Sequence, residues 1–314
     1  MRRTTLALLC AASVFCSSGA RGSDFFKTLK KEVLGEPAPK EEKKQVPAET
    51  QKTPEKKPRK MDLVFSGLGD LLAGASDVSY DTERVIGESL ALEGFARYGR
   101  PVEDQDLQRY VNLVGNAVVR NSLRPDIPYR FVVVQSDLYN AFACPGGIVF
   151  VSSELVKALA DEAELAGVLA HEVGHVAHKH ALKSIQRAQF LSGVGKLTAA
   201  SMKGDQGKQF QNMIGDLQTV LFDKGLDQGM EFEADQAAAE TAYRTGYEPA
   251  GLIRVLEMLR RKEAGAQKTG SWFSTHPPLP QRLERLRAQV SSYADSQTLA
   301  TVADRFTPYR ARLR

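Results

Sequence analysis

Four of the five histidines in this chain fall within ten residues, HEVGHVAHKH at 171–180, and the fifth is His276. Neutral imidazole is the commonest protein ligand for a transition metal. With about 100° of rotation per helical residue, His171 and His175 lie one turn apart on one face and aim their rings at a common point. That is the spacing of H-E-x-x-H, which supplies two of the ligands a tetrahedral zinc ion needs. Glu172 falls beside them, close enough to reach a water on the metal but angled away from ligating it. A zinc ion would acidify that water, and a carboxylate so placed would take its proton as the oxygen attacks a carbonyl. His178 shares the face of His175, yet a site on that pair would leave Glu172 without a role. His178 therefore reads as a solvated or hydrogen-bonded side chain. In an unbroken helix His180 points about 180° from His171, which excludes it from the site.

A third protein ligand has to come from elsewhere. The longer pattern H-E-x-x-H-x-x-G-x-x-H fails twice, because His178 stands at its glycine and Ala181 at its last histidine. Sites of the His₂Glu type take a carboxylate instead. The best candidate is EFEAD, 231–235. Glu231 and Asp235 are four residues apart and share a helical face, so Glu231 can bind the metal while Asp235 holds the free ring nitrogen of a ligand histidine. Glu233 lies about 200° round from Glu231 and is expected to face away. A plain solvated acidic helix would show the same spacing.

These residues need a scaffold to bring them together. Periodicity predicts helices over 81–98 and 104–121, with Leu107, Tyr110, Val111, Val114 and Val118 marking the core face of the second. YRFVVV (129–134) and GGIVFV (146–151) read as strands, with QSDLYNAFACP between them as a loop. Residues 161–189 contain no proline and read as one long helix, opened by a capping box of Asp161 and Glu164. Further helices are expected over 230–246, 249–265 and 279–292. The expected class is α+β, mainly helical, with a small β-sheet.

The 314 residues are 42% hydrophobic and 25% charged, ordinary values for a globular protein. The net charge is +4, of which two charges sit in the N-terminal MRR, so nothing points to nucleic acid. MRR, TTLALLCAASVFC and SSGARG have the layout of an export signal over residues 1–22. Residues 23–60 read as a disordered linker, since 35–60 hold five of the fourteen prolines and thirteen charged residues. As a basic tether the linker is compatible with peripheral membrane association, although its interspersed acids favour a solvated spacer. A domain over 61–292 and a short tail over 293–314 follow. Residues 61–76 are too short and interrupted to span a bilayer, and charges break every apolar run in 190–230. The expected location is therefore the periplasm or cell envelope, with no transmembrane span in the mature chain. Cys10 and Cys16 leave with the signal, which excludes an internal disulfide and leaves Cys144 as a buried small hydrophobe.

In order along residues 80–290, LYNAFACPGGIVFVSSELV, EAELAGVLAHEVGHVAHKH, EFEADQAA and THPPLPQRL resemble the HtpX-like and CAAX-prenyl-protease family of zinc metallopeptidases. The resemblance implies a zincin-like domain in which an edge strand lies beside the H-E-x-x-H helix. It implies one Zn²⁺ per chain on His171, His175 and Glu231, with Glu172 as catalytic base and His180 as a supporting residue behind the ligands. It brings the H-P loop, here His276–Pro277, to the metal. There His276 and Arg282 would steady a developing oxyanion, or the histidine would cap the zinc and hold the enzyme latent. Without the resemblance, His276 before two prolines reads as a turn residue. GGIVFV becomes the substrate-binding edge strand, with Gly146, Gly147, Ile148 and Val149 along a peptide backbone. A plain core strand is the alternative. Trp272 and Phe273 would line a pocket or pack as core or lid. Some exported relatives append tandem helical repeats for partners, and no such module is expected here.

The expectation is a zinc metalloendopeptidase acting on exported or envelope polypeptides, misfolded ones among them. One rival is an envelope chaperone or assembly factor with a latent peptidase site. A second makes the zinc purely structural.

Overall fold

The computed structural model describes residues 78–191, 206–262, 271–276 and 280–313. The expected signal, the linker, and residues 61–77 and 192–205 lie outside them. The described elements are α1 (Tyr80–Tyr98), α2 (Gln105–Val119), β1 (Arg130–Val134), β2 (Ala141–Cys144), β3 (Ile148–Ser152), α3 (Ser153–Ala158), α4 (Glu162–Ala177) and α5 (His180–Leu191). They continue with α6 (Gln206–Gln218), a π-helical turn (Thr219–Lys224), α7 (Gln228–Thr245), α8 (Gly251–Lys262), α9 (Trp272–Thr275), α10 (Pro280–Ser291) and α11 (Ala303–Arg310). The class is the expected one, mainly helical with a small mixed sheet. Among the described residues no helix is long and apolar enough to cross a membrane.

Helix starts are set by side-chain caps that satisfy otherwise orphaned amides. Asp104 accepts from Leu107 N at 3.0 Å, Asp161 from Glu164 N at 2.8 Å and Asp227 from Met230 N at 3.1 Å. Glu164 reaches back to accept from Ala160 N at 2.7 Å, one residue beyond the amide that a regular capping box uses. The anticipated face of α2 is the buried one, carrying Leu107, Tyr110, Val111, Val114 and Val118. Helix α4 is buried from Glu162 to Val176. A helix buried on all sides is a central element, and α2, α7, α8 and the sheet pack around it.

The sheet corrects two expectations. The supposed loop QSDLYNAFACP contains a strand, β2, and the sheet order is β1-β3-β2. Ala and Cys carry little strand preference, so β2 owes its state to antiparallel pairing with β3. Strand β3 is consequently central. Ile148 and Val149 pair with Arg130 and Phe131 on one side and with Cys144 and Ala143 on the other. Their backbone is already engaged, so Gly146, Gly147, Ile148 and Val149 do not form an edge, and β2 does. Gly146 (φ +80°) and Gly147 (φ +101°) make the β2–β3 turn, in a region glycine enters freely. A Cβ on Gly147 would sit 2.7 Å from Pro128 O, so this space is filled by the chain's own backbone.

The long helix is also corrected. His178 N–H closes onto Gly174 O, Lys179 turns left-handed at φ 56°, and α5 restarts at His180. Neither proline nor glycine marks this break. A left-handed lysine costs roughly 1–2 kcal/mol. The turn lets Ala181, Leu182 and Ile185 enter a second core with Ile86, Leu90 and Phe150.

The C-terminal residues belong to the main core. Phe306 is fully buried there, and Tyr309 stacks on Tyr110 with ring centroids 3.9 Å apart. Arg305 Nε donates to the buried Glu162 at 2.7 Å, joined by the hydroxyls of Tyr110 and Tyr247. Burial alone would raise the Glu162 carboxyl, but Arg305 and the two phenols outweigh it and hold it below its usual range. Its contribution to stability is therefore present above the ordinary glutamate pKa of about 4.3 and is lost as pH falls through the lower folded value. Glu162→Gln should flatten the acid limb of a stability–pH profile. Phe306→Ala should cost about 3–5 kcal/mol in urea unfolding; a loss within about 0.5 kcal/mol, typical of an exposed site, would contradict the docking of this segment.

Candidate active site and metal centre

Helix α4 carries His171, Glu172 and His175, and α7 crosses it closely enough that a Cβ on Gly174 would lie 3.2 Å from Ala234 Cα. That approach brings Glu231 to the two imidazoles. His175 Nε2 is 3.0 Å from His171 Nε2, and Glu231 stands 3.5 Å from each ring. His276, just after α9, completes the group: its Nδ1 is 2.9 Å from Glu231 Oε1 and 3.5 Å from His171 Nε2. All four side chains are buried.

The donor set fits one zinc ion. Ligands at about 2.1 Å in a tetrahedron stand about 3.4 Å apart, and the observed separations cluster round that value. Charge points the same way. Glu172, Glu231 and Asp235 are buried carboxylates, and Arg282 is the guanidinium buried among them. With neutral imidazoles the group carries −2, which a divalent cation cancels. Burial pushes the His175 ring well below its usual pKa, leaving it neutral and able to ligate. Burial acts likewise on His171, but Asp235 and Glu231 override it and bring that ring up to about 9, so a metal has to displace a proton there. Burial would also raise Glu231, yet His276 and Arg282 hold its carboxyl well below the ordinary range.

The shell behind the ligands is charged. Arg282 Nε and Nη2 each donate to Asp235 at 2.7 Å, while Nη1 is 2.9 Å from Glu231 and donates to His276 O at 3.1 Å. Asp235 Oδ1 lies 3.1 Å from His171 Nδ1. Arg282 is thus a brace for Glu231, Asp235 and His276, which corrects its expected place at an oxyanion. His180 is also differently placed from the helical-wheel expectation. The break at Lys179 swings it back, and its Nδ1 lies 2.8 Å from His175 Nδ1. Glu233 is exposed and outside the metal group, and reaches His180 Nε2 at 3.1 Å. No sequence signal marked that contact, because it depends on the break. Trp272 is fully buried, with its ring 4.8 Å from that of His276. It packs as core behind the metal group; the side chain of Phe273 is outside the described set.

Glu172 differs from the other acids. It is completely buried; among the described residues neither oxygen has a hydrogen-bond partner, and His276 Nε2 stands 3.8 Å from Oε1. Burial raises its pKa, opposed by His276 and His171. An orphaned buried carboxylate is costly, and such groups are retained where they act. It borders a cavity of about 20 Å³ lined by Phe142, Cys144, Leu182, Leu221 and His276. Burial, together with the Glu172 carboxylate, pushes the Cys144 thiol up and keeps it inert.

Comparison with known proteins agrees with this geometry. Residues 105–290 match the model of peptidase family M48, more than half of the chain. The chain belongs to peptidase family M48. It is 31% identical over 238 residues to the beta-barrel assembly-enhancing protease of Yersinia pestis, covering 73% of this chain and 48% of that protein. It is also 31% identical over 189 residues to metalloprotease LoiP of Escherichia coli, covering 60% of this chain and 73% of that one. The mitochondrial metalloendopeptidase OMA1 of Schizosaccharomyces pombe is 27% identical over 217 residues, covering 67% and 62%. The chain spans about half the length of the Yersinia relative. For this M48 chain, Asp235→Asn should weaken zinc binding by about 10–100-fold in chelator competition; unchanged affinity would remove Asp235 from the support of His171.

Proposed function

We propose that this chain is a zinc metalloendopeptidase that cuts extended segments of exported or envelope polypeptides. The observation that carries the reading is the Glu172 carboxylate, without a hydrogen-bond partner among the described residues, beside a four-ligand cluster and near β2, an outer strand of the sheet. His171, His175 and Glu231 would hold the ion, with Asp235, Arg282 and His180 fixing their orientation. Zinc there would supply an acidified water and Lewis-acid polarisation of the scissile carbonyl. Glu172 would accept the proton of the attacking water and return it to the leaving amine. A raised glutamate pKa suits both halves of that transfer.

The peptide would lie along Ala141–Cys144, the edge strand beside α4, and bind by main-chain hydrogen bonds with little sequence demand. With His171, His175 and Glu231 holding the ion, His276 would be its fourth ligand, and water and carbonyl could enter only on its withdrawal. This favours a gated enzyme, latent until substrate or another signal moves α9. The name of the Yersinia relative, a protease that enhances β-barrel assembly, supports polypeptides of the envelope as substrates. The proposed layout keeps an export signal over 1–22 and a linker over 23–60 that can touch an anionic membrane surface through its lysines, and it joins the C-terminal segment to the peptidase domain.

Purified zinc-loaded protein should cleave an unfolded polypeptide, and Glu172→Gln should lose about 10²–10⁴-fold in kcat while keeping its zinc. Equal rescue of a deletion phenotype by wild type and Glu172→Gln would favour the chaperone reading instead.

A further inference from the structure

Outside the main cluster, His178, His180 and Glu233 are the other described side chains whose ligand atoms converge, all within 4.8 Å of one another. The break at Lys179 sets the two imidazoles side by side, ring centroids 5.3 Å apart. Glu233 stands on α7 two residues past Glu231 and reaches both rings. Its Oε2 is 3.1 Å from His180 Nε2 and 3.6 Å from His178 Nδ1. These separations bracket the edge of about 3.4 Å expected for ligands at about 2.1 Å from zinc. Glu233 is exposed, and with His178 it lines a cavity of about 200 Å³ that also receives Gln236 and Glu240. An ion can enter from solvent there and complete its coordination with water.

We propose that His178, His180 and Glu233 form a second zinc site, solvent-facing and separate from the first. It lacks a buried guanidinium and carboxylate behind its ligands, so it should bind about 10–100-fold more weakly than the main centre.

Zinc alone, titrated calorimetrically into the chelator-treated full chain, tests this. Wild type should take up two equivalents. His178→Gln and Glu233→Gln should each lose the second while keeping the first. Glu231→Ala should lose the first and keep the second, which separates failure of the main centre from failure of this site. A single equivalent in wild type, or a second that survives both His178→Gln and Glu233→Gln, overturns the site.

Discussion

Three carboxylates removed from water in one small volume are the constraint round which this fold is arranged. Glu172, Glu231 and Asp235 are almost completely buried, and Arg282 is the guanidinium buried among them. Desolvating a charge costs several kcal/mol unless it is paired. Arg282 meets Asp235 through a two-pronged contact and Glu231 through its third nitrogen. A divalent cation among the imidazoles would cancel what is left. Each surrounding feature serves that arrangement: α4 is buried so that its histidines see no water, α7 approaches over Gly174, and Trp272 seals the far side.

The same network divides labour among acids that look alike in sequence. Glu231 and Asp235 are stabilised as anions by the cations that face them. Among the described residues Glu172 has no hydrogen-bond partner, and burial raises it. Environments that push the pKa values of neighbouring carboxylates apart separate structural acids from a proton carrier. His276 links the two groups, with one nitrogen on Glu231 and the other turned toward Glu172.

Much of the site was legible because helical spacing is local information. His171 with His175 and Glu231 with Asp235 follow from 3.6 residues per turn, and helices α1, α2, α7 and α10 follow from apolar periodicity and caps. What was missed depends on contacts distant in sequence. Strand β2 is built of Ala, Phe, Ala and Cys and takes its form from β3, which leaves Ile148 and Val149 in the central strand and Ala141–Cys144 in an outer one. The break at Lys179 has no proline or glycine to announce it, so an unbroken helical wheel puts His180 on the wrong side. The role of Arg282 was misassigned because sequence order shows proximity to the H-P loop but not the direction of a guanidinium. The packing of Phe306 was hidden in a segment that reads as a polar tail.

The central claim is that one zinc ion is held by imidazoles of His171, His175 and His276 together with Glu231. X-ray absorption at the zinc K edge of protein loaded with a single equivalent tests it most directly. The account predicts nitrogen and oxygen ligands only, at about 2.0–2.1 Å, with multiple scattering from three imidazoles that falls to two in His276→Ala. A sulfur scatterer at about 2.3 Å, or a shell with no more than one imidazole, would contradict it.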